Sequence, residues 1–176
     1  VSKTEKERRE ALNGLFKYVK KDVKDTLRVM NGYPVTIRLL DPPLHEFVPH
    51  DKVKLRQLGK ELGISMGMLN RRVLALHENN PMLGHRGVRL GISYPEITEM
   101  QVRAIFEATA ELLKAGKKAF PEIMVPVTVT VNELAHQKLI VDKVYKEVCE
   151  KMKMKKMAYL YGTMIETPRA AIRAEL

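Results

Sequence analysis

Helical and strand-like segments alternate along this chain of 176 residues, and that order limits the folds open to it. The first helical pattern covers residues 4–30 and has a charged step at Lys21–Asp22, where we expect it to divide in two. Strands are predicted at four places: Val35–Asp41, Arg86–Ile92, Ala119–Val129 and Ala158–Glu166. Two long helices separate the later strands, one over roughly residues 96–115 and one that begins after an N-cap at Asn132. This alternation predicts an α/β fold in which parallel strands are joined by crossover helices.

About four parallel strands fit either a small open sheet or part of a (β/α)8 (TIM) barrel, because a complete barrel needs about 250 residues. Between the first two strands, residues of about 42–82 contain two short helical patterns, at 51–62 and 66–79. We interpret them as a small helical insertion in one domain that spans residues 1–176. Charged residues at the predicted strand ends favour the partial barrel, since barrels of this kind keep their chemistry at that rim.

The charge balance is basic, with 31 Lys and Arg against 21 Asp and Glu, a net charge of +10. Three explanations fit this net charge: binding to nucleic acid, attraction of a phosphorylated substrate, or an acidic remainder in a longer protein. The basic residues alternate with acidic ones and lack interleaved aromatic residues, so we interpret most of them as solvated helix faces. The chain begins with charged residues and without Met, which suggests a piece of a longer protein. Cys149 is the single cysteine and no apolar run is long enough to span a membrane, so we expect a cytoplasmic protein with no membrane partner.

Four charged residues lie at the predicted strand ends: Arg38, Asp41, Arg86 and Glu166. Arginine grips carboxylate or phosphate through two hydrogen bonds, so two arginines suit a small dianion. A carboxylate such as Glu166 suits Mg²⁺, which prefers oxygen ligands and uses only one or two protein carboxylates. The alternative is an Arg–carboxylate network that merely closes the rim.

Five motifs resemble the phosphoenolpyruvate/pyruvate-binding domain of the pyruvate, phosphate dikinase family, and they follow its order and spacing. They are Gly32–Phe47, Asn80–Gly91, Tyr94–Ala108, Pro121–Pro126 and Gly162–Ala171. The segment that follows the first strand, Asp-Pro-Pro-Leu-His-Glu-Phe, is the most specific of them. The resemblance covers nearly the whole chain and implies a partial TIM barrel.

The resemblance also implies a reaction, the reversible conversion of ATP, phosphate and pyruvate to AMP, diphosphate and phosphoenolpyruvate. A swivelling phosphohistidine domain of the same polypeptide would carry the phosphoryl group to this barrel, in an enzyme expected to be a homodimer. By position in the motifs, Arg38 and Arg86 match the substrate-binding arginines, and Glu166 matches a substrate-site ligand of Mg²⁺. The remaining motif residues, Asp41, His85 and Arg89, are expected to hold these groups in place without contacting the substrate.

Other parts of that family's site have no counterpart here: the carrier histidine, the acid cysteine and the second metal ligand. We therefore expect residues 1–176 alone to be catalytically inactive, because phosphoryl transfer needs all these groups in one geometry.

Two other function classes are compatible with parts of the sequence. Residues Val53–Leu76 imitate a helix-turn-helix, with a Gly-Ile-Ser turn and a basic second helix that carries Asn70 and Arg71. Because this segment lies between two of the family's motifs, we expect no nucleic-acid partner. The remaining alternative is a non-catalytic interaction fragment.

Overall fold

Seven helices and three strands make up the described parts of the chain. The structure, a computed structural model, describes residues 4–41, 51–76 and 84–175, except the side chains of Arg72, Ala75 and Leu76. The elements are α1 (Glu5–Val29), β1 (Pro34–Arg38), α2 (Lys52–Glu61), α3 (Met66–Leu76), α4 (Gly87–Ser93), α5 (Pro95–Lys114), β2 (Phe120–Val125), α6 (Val131–Lys151), β3 (Leu160–Thr163) and α7 (Pro168–Ile172). They divide into two compact units, Val1–Asp41 with Gly87–Leu176, and Pro42–Arg86.

The sheet of the first unit is parallel throughout, with strand order β1-β2-β3. In its register Ile37 lies opposite Ile123, and Ile123 lies opposite Tyr161. These three side chains point to the helices, where Ile123 is only 1% exposed. Because the strands are parallel, their carboxyl ends meet at one edge of the sheet. The described residues therefore form a parallel α/β arrangement consistent with part of a barrel, with three strands where four were expected.

The missing strand is the one predicted over Arg86–Ile92, which is wrong because these residues form α4 from Gly87 onward. The alternating apolar pattern was misleading, since one of its glycines, Gly91, allows close packing against two other helices. A Cβ at Gly91 would lie 2.6 Å from Thr98 Oγ1 and 2.8 Å from Gln137 Oε1. The segment is thus a helix that lies tightly against α5 and α6.

Three boundary predictions also need correction. The strand predicted to reach Val129 ends at Val125, because Pro126 has no N–H to donate and Val127 leaves the extended region. The first helix is continuous through Lys21, which forms an i,i+4 ion pair with Asp25 across the supposed break. Thr130, not Asn132, caps α6: its hydroxyl accepts from the N–H of Glu133 in a capping box.

The core of the first unit lies between the sheet and α5 and α6. Its centre is the ring of Phe106, fully buried, with edge-on contacts to Tyr145 at 5.2 Å and Tyr159 at 5.0 Å between ring centroids. A second small cluster joins α1 to the end of α5 through Leu27 and Leu112. Across the described ranges, no helix combines the length and apolar character that spanning a membrane requires.

Ion pairs connect α5 to the helices on its two sides. Glu107, nearly buried, accepts from Lys20 of α1 at 3.1 Å and from Lys151 of α6 at 2.8 Å. Burial alone would raise the pKa of Glu107, but the two lysine hydrogen bonds outweigh it and hold the pKa below its ordinary value. Similar pairs join Arg8 to Glu96, Arg9 and Lys143 to Glu99, and Lys20 and Lys24 to Glu111. We refer to this row of pairs along α5 as the charge ladder.

The second unit contains α2 and α3. Asp51 caps α2 by accepting from the N–H of Val53 at 2.9 Å, and Gly63, with φ of 63°, terminates it. Leu55 and Leu69 are buried, whereas Leu62, at the end of α2, is 42% exposed. The dikinase-like residues 42–47 lie outside the described ranges.

Candidate functional site

The candidate site lies at the carboxyl edge of the three-stranded sheet. Two hydrogen bonds continue the ladder past the strands, from Leu39 N to Met124 O at 3.0 Å and from Met164 N to Val125 O at 3.1 Å. The segments after the three strands therefore leave the sheet side by side. β1 and β3 flank β2, so their ends are separated by two strand spacings, on the order of 10 Å.

Arg38 is the last residue of β1, and its guanidinium is held by Asp41. Arg38 Nη2 donates to Asp41 Oδ2 at 2.9 Å, with the Asp41 side chain 2% exposed and that of Arg38 45% exposed. The buried carboxylate thus orients the guanidinium, and the exposed part of the guanidinium faces solvent. That arrangement suits capture of an anion by the remaining N–H groups.

A buried glutamine, which our sequence analysis did not single out, holds the segment between these two residues. Gln101 Oε1 accepts from Leu40 N at 2.7 Å, while its Nε2 donates to Ile97 O at 3.1 Å. Gln101 is 6% exposed and lies among the apolar residues of α5. A polar side chain on the core-facing side of a predicted helix is the signal that points to such a contact.

Glu166 follows β3 and reaches across to the segment that follows β2. Its Oε1 accepts from Val127 N at 2.7 Å. Val127 is 6% exposed and has φ of 61°, a left-handed conformation that β-branched residues avoid. Glu166 itself is exposed, and no described residue forms a hydrogen bond or ion pair with its Oε2. The carboxylate thus has one oxygen fixed and one available at the rim.

Neighbouring contacts fix the segment around Val127 on both sides. Pro126 O accepts from Val88 N at 3.1 Å, and Thr128 O accepts from the Thr167 hydroxyl at 3.0 Å. The Thr163 hydroxyl lies 2.7 Å from the hydroxyl of Thr128. The loop after β2 is therefore bound to the start of α4 and to the end of β3.

Gly87 lies where these parts converge. Its φ is 53°, and a Cβ at this position would come within 2.9 Å of Asp41 Oδ1, Pro126 O and Val127 Cγ2. Any larger residue would displace Asp41 or the Val127 segment, so only glycine fits. The Arg38–Asp41 pair and the Glu166–Val127 contact are therefore packed against a common backbone position.

The other residues predicted for the site are distributed over both units. Arg89 lies on the first turn of α4 and is half-buried. His85 and Arg86 belong to the second unit, where both are half-buried and Arg86 N donates to Gly84 O at 3.0 Å. Within the described residues, no three His, Cys, Asp or Glu side chains gather as a metal cluster.

Comparison with known proteins identifies the domain. A sequence model described as the PEP-binding domain of PEP-utilising enzymes matches residues 3–176. Helices α2 and α3 fall inside this match, so they are part of that domain and not a separate DNA-binding module.

Three relatives illustrate the similarity. Pyruvate, phosphate dikinase 1, chloroplastic, of Oryza sativa subsp. japonica is 50% identical over 170 residues, 96% of this chain and 18% of the relative. Pyruvate, phosphate dikinase 2 of Zea mays is 49% identical over 170 residues, 96% of this chain and 19% of the relative. Pyruvate, phosphate dikinase of Rhizobium meliloti (strain 1021) is 48% identical over 176 residues, 99% of this chain and 20% of the relative.

The chain spans about a fifth of the length of these curated relatives. Both the match to the family model over residues 3–176 and the identities of 48–50% extend across nearly all of it. The chain therefore belongs to the family of PEP-utilising enzymes, within their PEP-binding domain.

Proposed function

We propose that the chain supplies part of the phosphoenolpyruvate/pyruvate site of a pyruvate, phosphate dikinase. The observation that carries the proposal is the pair of groups at one sheet edge: a guanidinium oriented by buried Asp41, and a carboxylate with one available oxygen. The names of the rice, maize and Rhizobium relatives support the reaction. In the complete enzyme, a phosphohistidine on a swivelling domain would donate its phosphoryl group to pyruvate here.

Arg38 and Arg86 are proposed to bind the phosphoryl and carboxylate groups of the substrate. Asp41 holds the guanidinium of Arg38 in place before the substrate arrives, which reduces the entropic cost of ordering that side chain on binding. The same guanidinium would neutralise negative charge that develops on the phosphoryl oxygens during transfer. Asp41, His85 and Arg89 are proposed to support these groups without touching the substrate.

Glu166 is proposed to hold Mg²⁺ beside the substrate. The donor set fits, because Mg²⁺ at substrate sites uses one or two protein carboxylates and takes its other ligands from substrate and water. Bound there, the ion would polarise a substrate carbonyl and favour its enolate form. The homodimer and the cytoplasmic location inferred from the sequence remain predictions of this proposal.

The decisive test compares two arginines in the complete polypeptide. Arg38→Leu is expected to abolish formation of phosphoenolpyruvate from pyruvate, while phosphohistidine formation from ATP continues, since that half-reaction uses another domain. Arg28→Leu is the matched control, because Arg28 Nη2 also forms an ion pair with a carboxylate three residues away, that of Asp25, at 3.0 Å. Equal pyruvate turnover in the two variants would refute the role of Arg38.

A second test separates the charge of Glu166 from its shape. Glu166→Gln keeps an acceptor for the N–H of Val127 and removes the charge that attracts a cation. We expect weaker binding of Mn²⁺, used as a probe for Mg²⁺, together with oxalate, a mimic of enolpyruvate. Undiminished binding of the pair by the variant would mean that Glu166 is structural.

A further inference from the structure

The backbone conformation of Val127 is unusual for a buried, β-branched residue. Of the described non-glycine residues, only Val127 and Lys153 have positive φ, and Lys153 lies just beyond the end of α6, where helices often finish in this way. Val127 ends no helix, is buried and is β-branched. Such outliers persist where surrounding contacts impose them, and they cluster at functional sites.

The contact that accompanies this conformation is the hydrogen bond from Val127 N to Glu166 Oε1, at 2.7 Å. The carbonyls on both sides, Pro126 O and Thr128 O, are held by Val88 N and the Thr167 hydroxyl. With its flanks fixed in this way, the N–H of Val127 points at one oxygen of Glu166 and has little freedom to leave it.

We propose that the backbone N–H of Val127 is a positioning group that makes Glu166 a one-oxygen ligand. By occupying Oε1, it leaves Oε2 alone to bind a cation. This role rests on the proposed metal-binding function of Glu166.

One-oxygen binding has a consequence for the choice of cation. Mg²⁺ demands near-ideal octahedral geometry and takes carboxylates through one oxygen, whereas Ca²⁺ accepts both oxygens of a carboxylate in a looser shell. A Glu166 tied at Oε1 therefore favours Mg²⁺ and Mn²⁺ over Ca²⁺. Release of Oε1 would weaken binding of the smaller ions and relatively favour Ca²⁺.

The test replaces the N–H of Val127 by an ester oxygen, which also weakens Pro126 O as a hydrogen-bond acceptor. In the complete polypeptide, Val127 is replaced by α-hydroxyisovaleric acid, which turns the amide between Pro126 and Val127 into an ester and keeps the side chain. Mn²⁺ binding is measured by electron paramagnetic resonance with excess oxalate and no nucleotide. We expect affinity for Mn²⁺ to fall about 10-fold, the usual effect of losing a group that orients a metal ligand. Competition titrations should show the ratio of Ca²⁺ to Mg²⁺ affinity rising about 3-fold or more.

Val129 offers a matched control two residues away. Its N–H also donates to a glutamate, Glu133 Oε2, at 2.8 Å, and the carbonyl before it also accepts a hydrogen bond. The ester at this position weakens Thr128 O as an acceptor, just as the first ester weakens Pro126 O, but it keeps the N–H of Val127 and its hydrogen bond to Glu166. It should leave Mn²⁺ affinity and the cation ratio within about 2-fold of the unchanged protein.

Val127→Gly provides a second variant that tolerates the backbone conformation. It keeps the N–H and adopts φ of 61° without strain, so Mn²⁺ affinity should stay within about 3-fold. If Val127→Gly loses as much affinity as the ester, the side chain matters instead of the N–H, and the proposal is wrong. An ester at Val127 with unchanged affinity and cation ratio overturns it equally.

Glu166→Ala distinguishes failure of this role from failure of the proposed function. If that variant binds Mn²⁺ as well as the unchanged protein, Glu166 is not a ligand and both ideas fail. If it loses Mn²⁺ while the ester at Val127 does not, only the positioning role of the N–H fails.

Discussion

Gly87→Ala tests whether the parts of the candidate site are packed against one backbone position. The left-handed φ of 53° costs alanine about 1–2 kcal/mol. Its Cβ would also lie 2.9 Å from Asp41 Oδ1, Pro126 O and Val127 Cγ2, and overpacking of this kind costs about 1–3 kcal/mol. The stiffer unfolded chain returns about 0.4–1 kcal/mol. The free energy of unfolding should therefore fall by about 2–4 kcal/mol.

Gly116→Ala is the matched control, because Gly116 has φ of 72° but nothing within 4 Å of an added Cβ. It incurs only the conformational cost, a net loss of about 1 kcal/mol. Both variants are compared with the unchanged protein by urea unfolding, and the difference between them measures the steric part alone. Equal losses for the two alanines would refute the close packing at Gly87.

Three further predictions concern named contacts. Gln101→Leu leaves Leu40 N without its buried acceptor and should lower the free energy of unfolding by about 1–3 kcal/mol in urea titrations; an unchanged midpoint would contradict the anchoring role. Thr130→Ala should cost about 1 kcal/mol by thermal unfolding and Asn132→Ala close to none, and the reverse order would contradict the observed cap. Glu107→Gln should cost about 1–2 kcal/mol at pH 7. Because the folded pKa of Glu107 lies below 4.5, its stabilisation is full above that pH and is lost as the pH falls through the folded pKa, so the two proteins should converge in acid.

The alternation of helices and strands was readable from the sequence because local periodicity decides it. Val35 and Ile37 alternate with polar neighbours in β1, and α5 has a long apolar face, so both elements were predicted close to their observed bounds. The segment from Gly87 was not readable in this way. Gly87 packs against Asp41 and Gly91 against Gln137, both of which are distant in sequence, and no local pattern shows such contacts.

The candidate site was predictable in part for the same reason. Arg38 and Glu166 are polar residues at strand ends, which is a local signal. Gln101 and Val127 act through hydrogen bonds to Leu40 and Glu166, across 61 and 39 residues of sequence. A polar residue on the core-facing side of α5 could have marked Gln101 as a candidate, but its partner and that of Val127 are set by tertiary packing, which a single sequence does not show.

The charge ladder attaches α1 to α5 along most of the helix, from Arg8 and Arg9 to Lys20 and Lys24, and these attractions weaken as salt rises. Near the end of α1, Leu27 adds a buried apolar contact that does not depend on charge. Amide hydrogens should therefore exchange in a gradient, fastest in the first turns and slowest around Leu27, and added salt should steepen it. We thus expect α1 to separate from α5 first at its amino-terminal end.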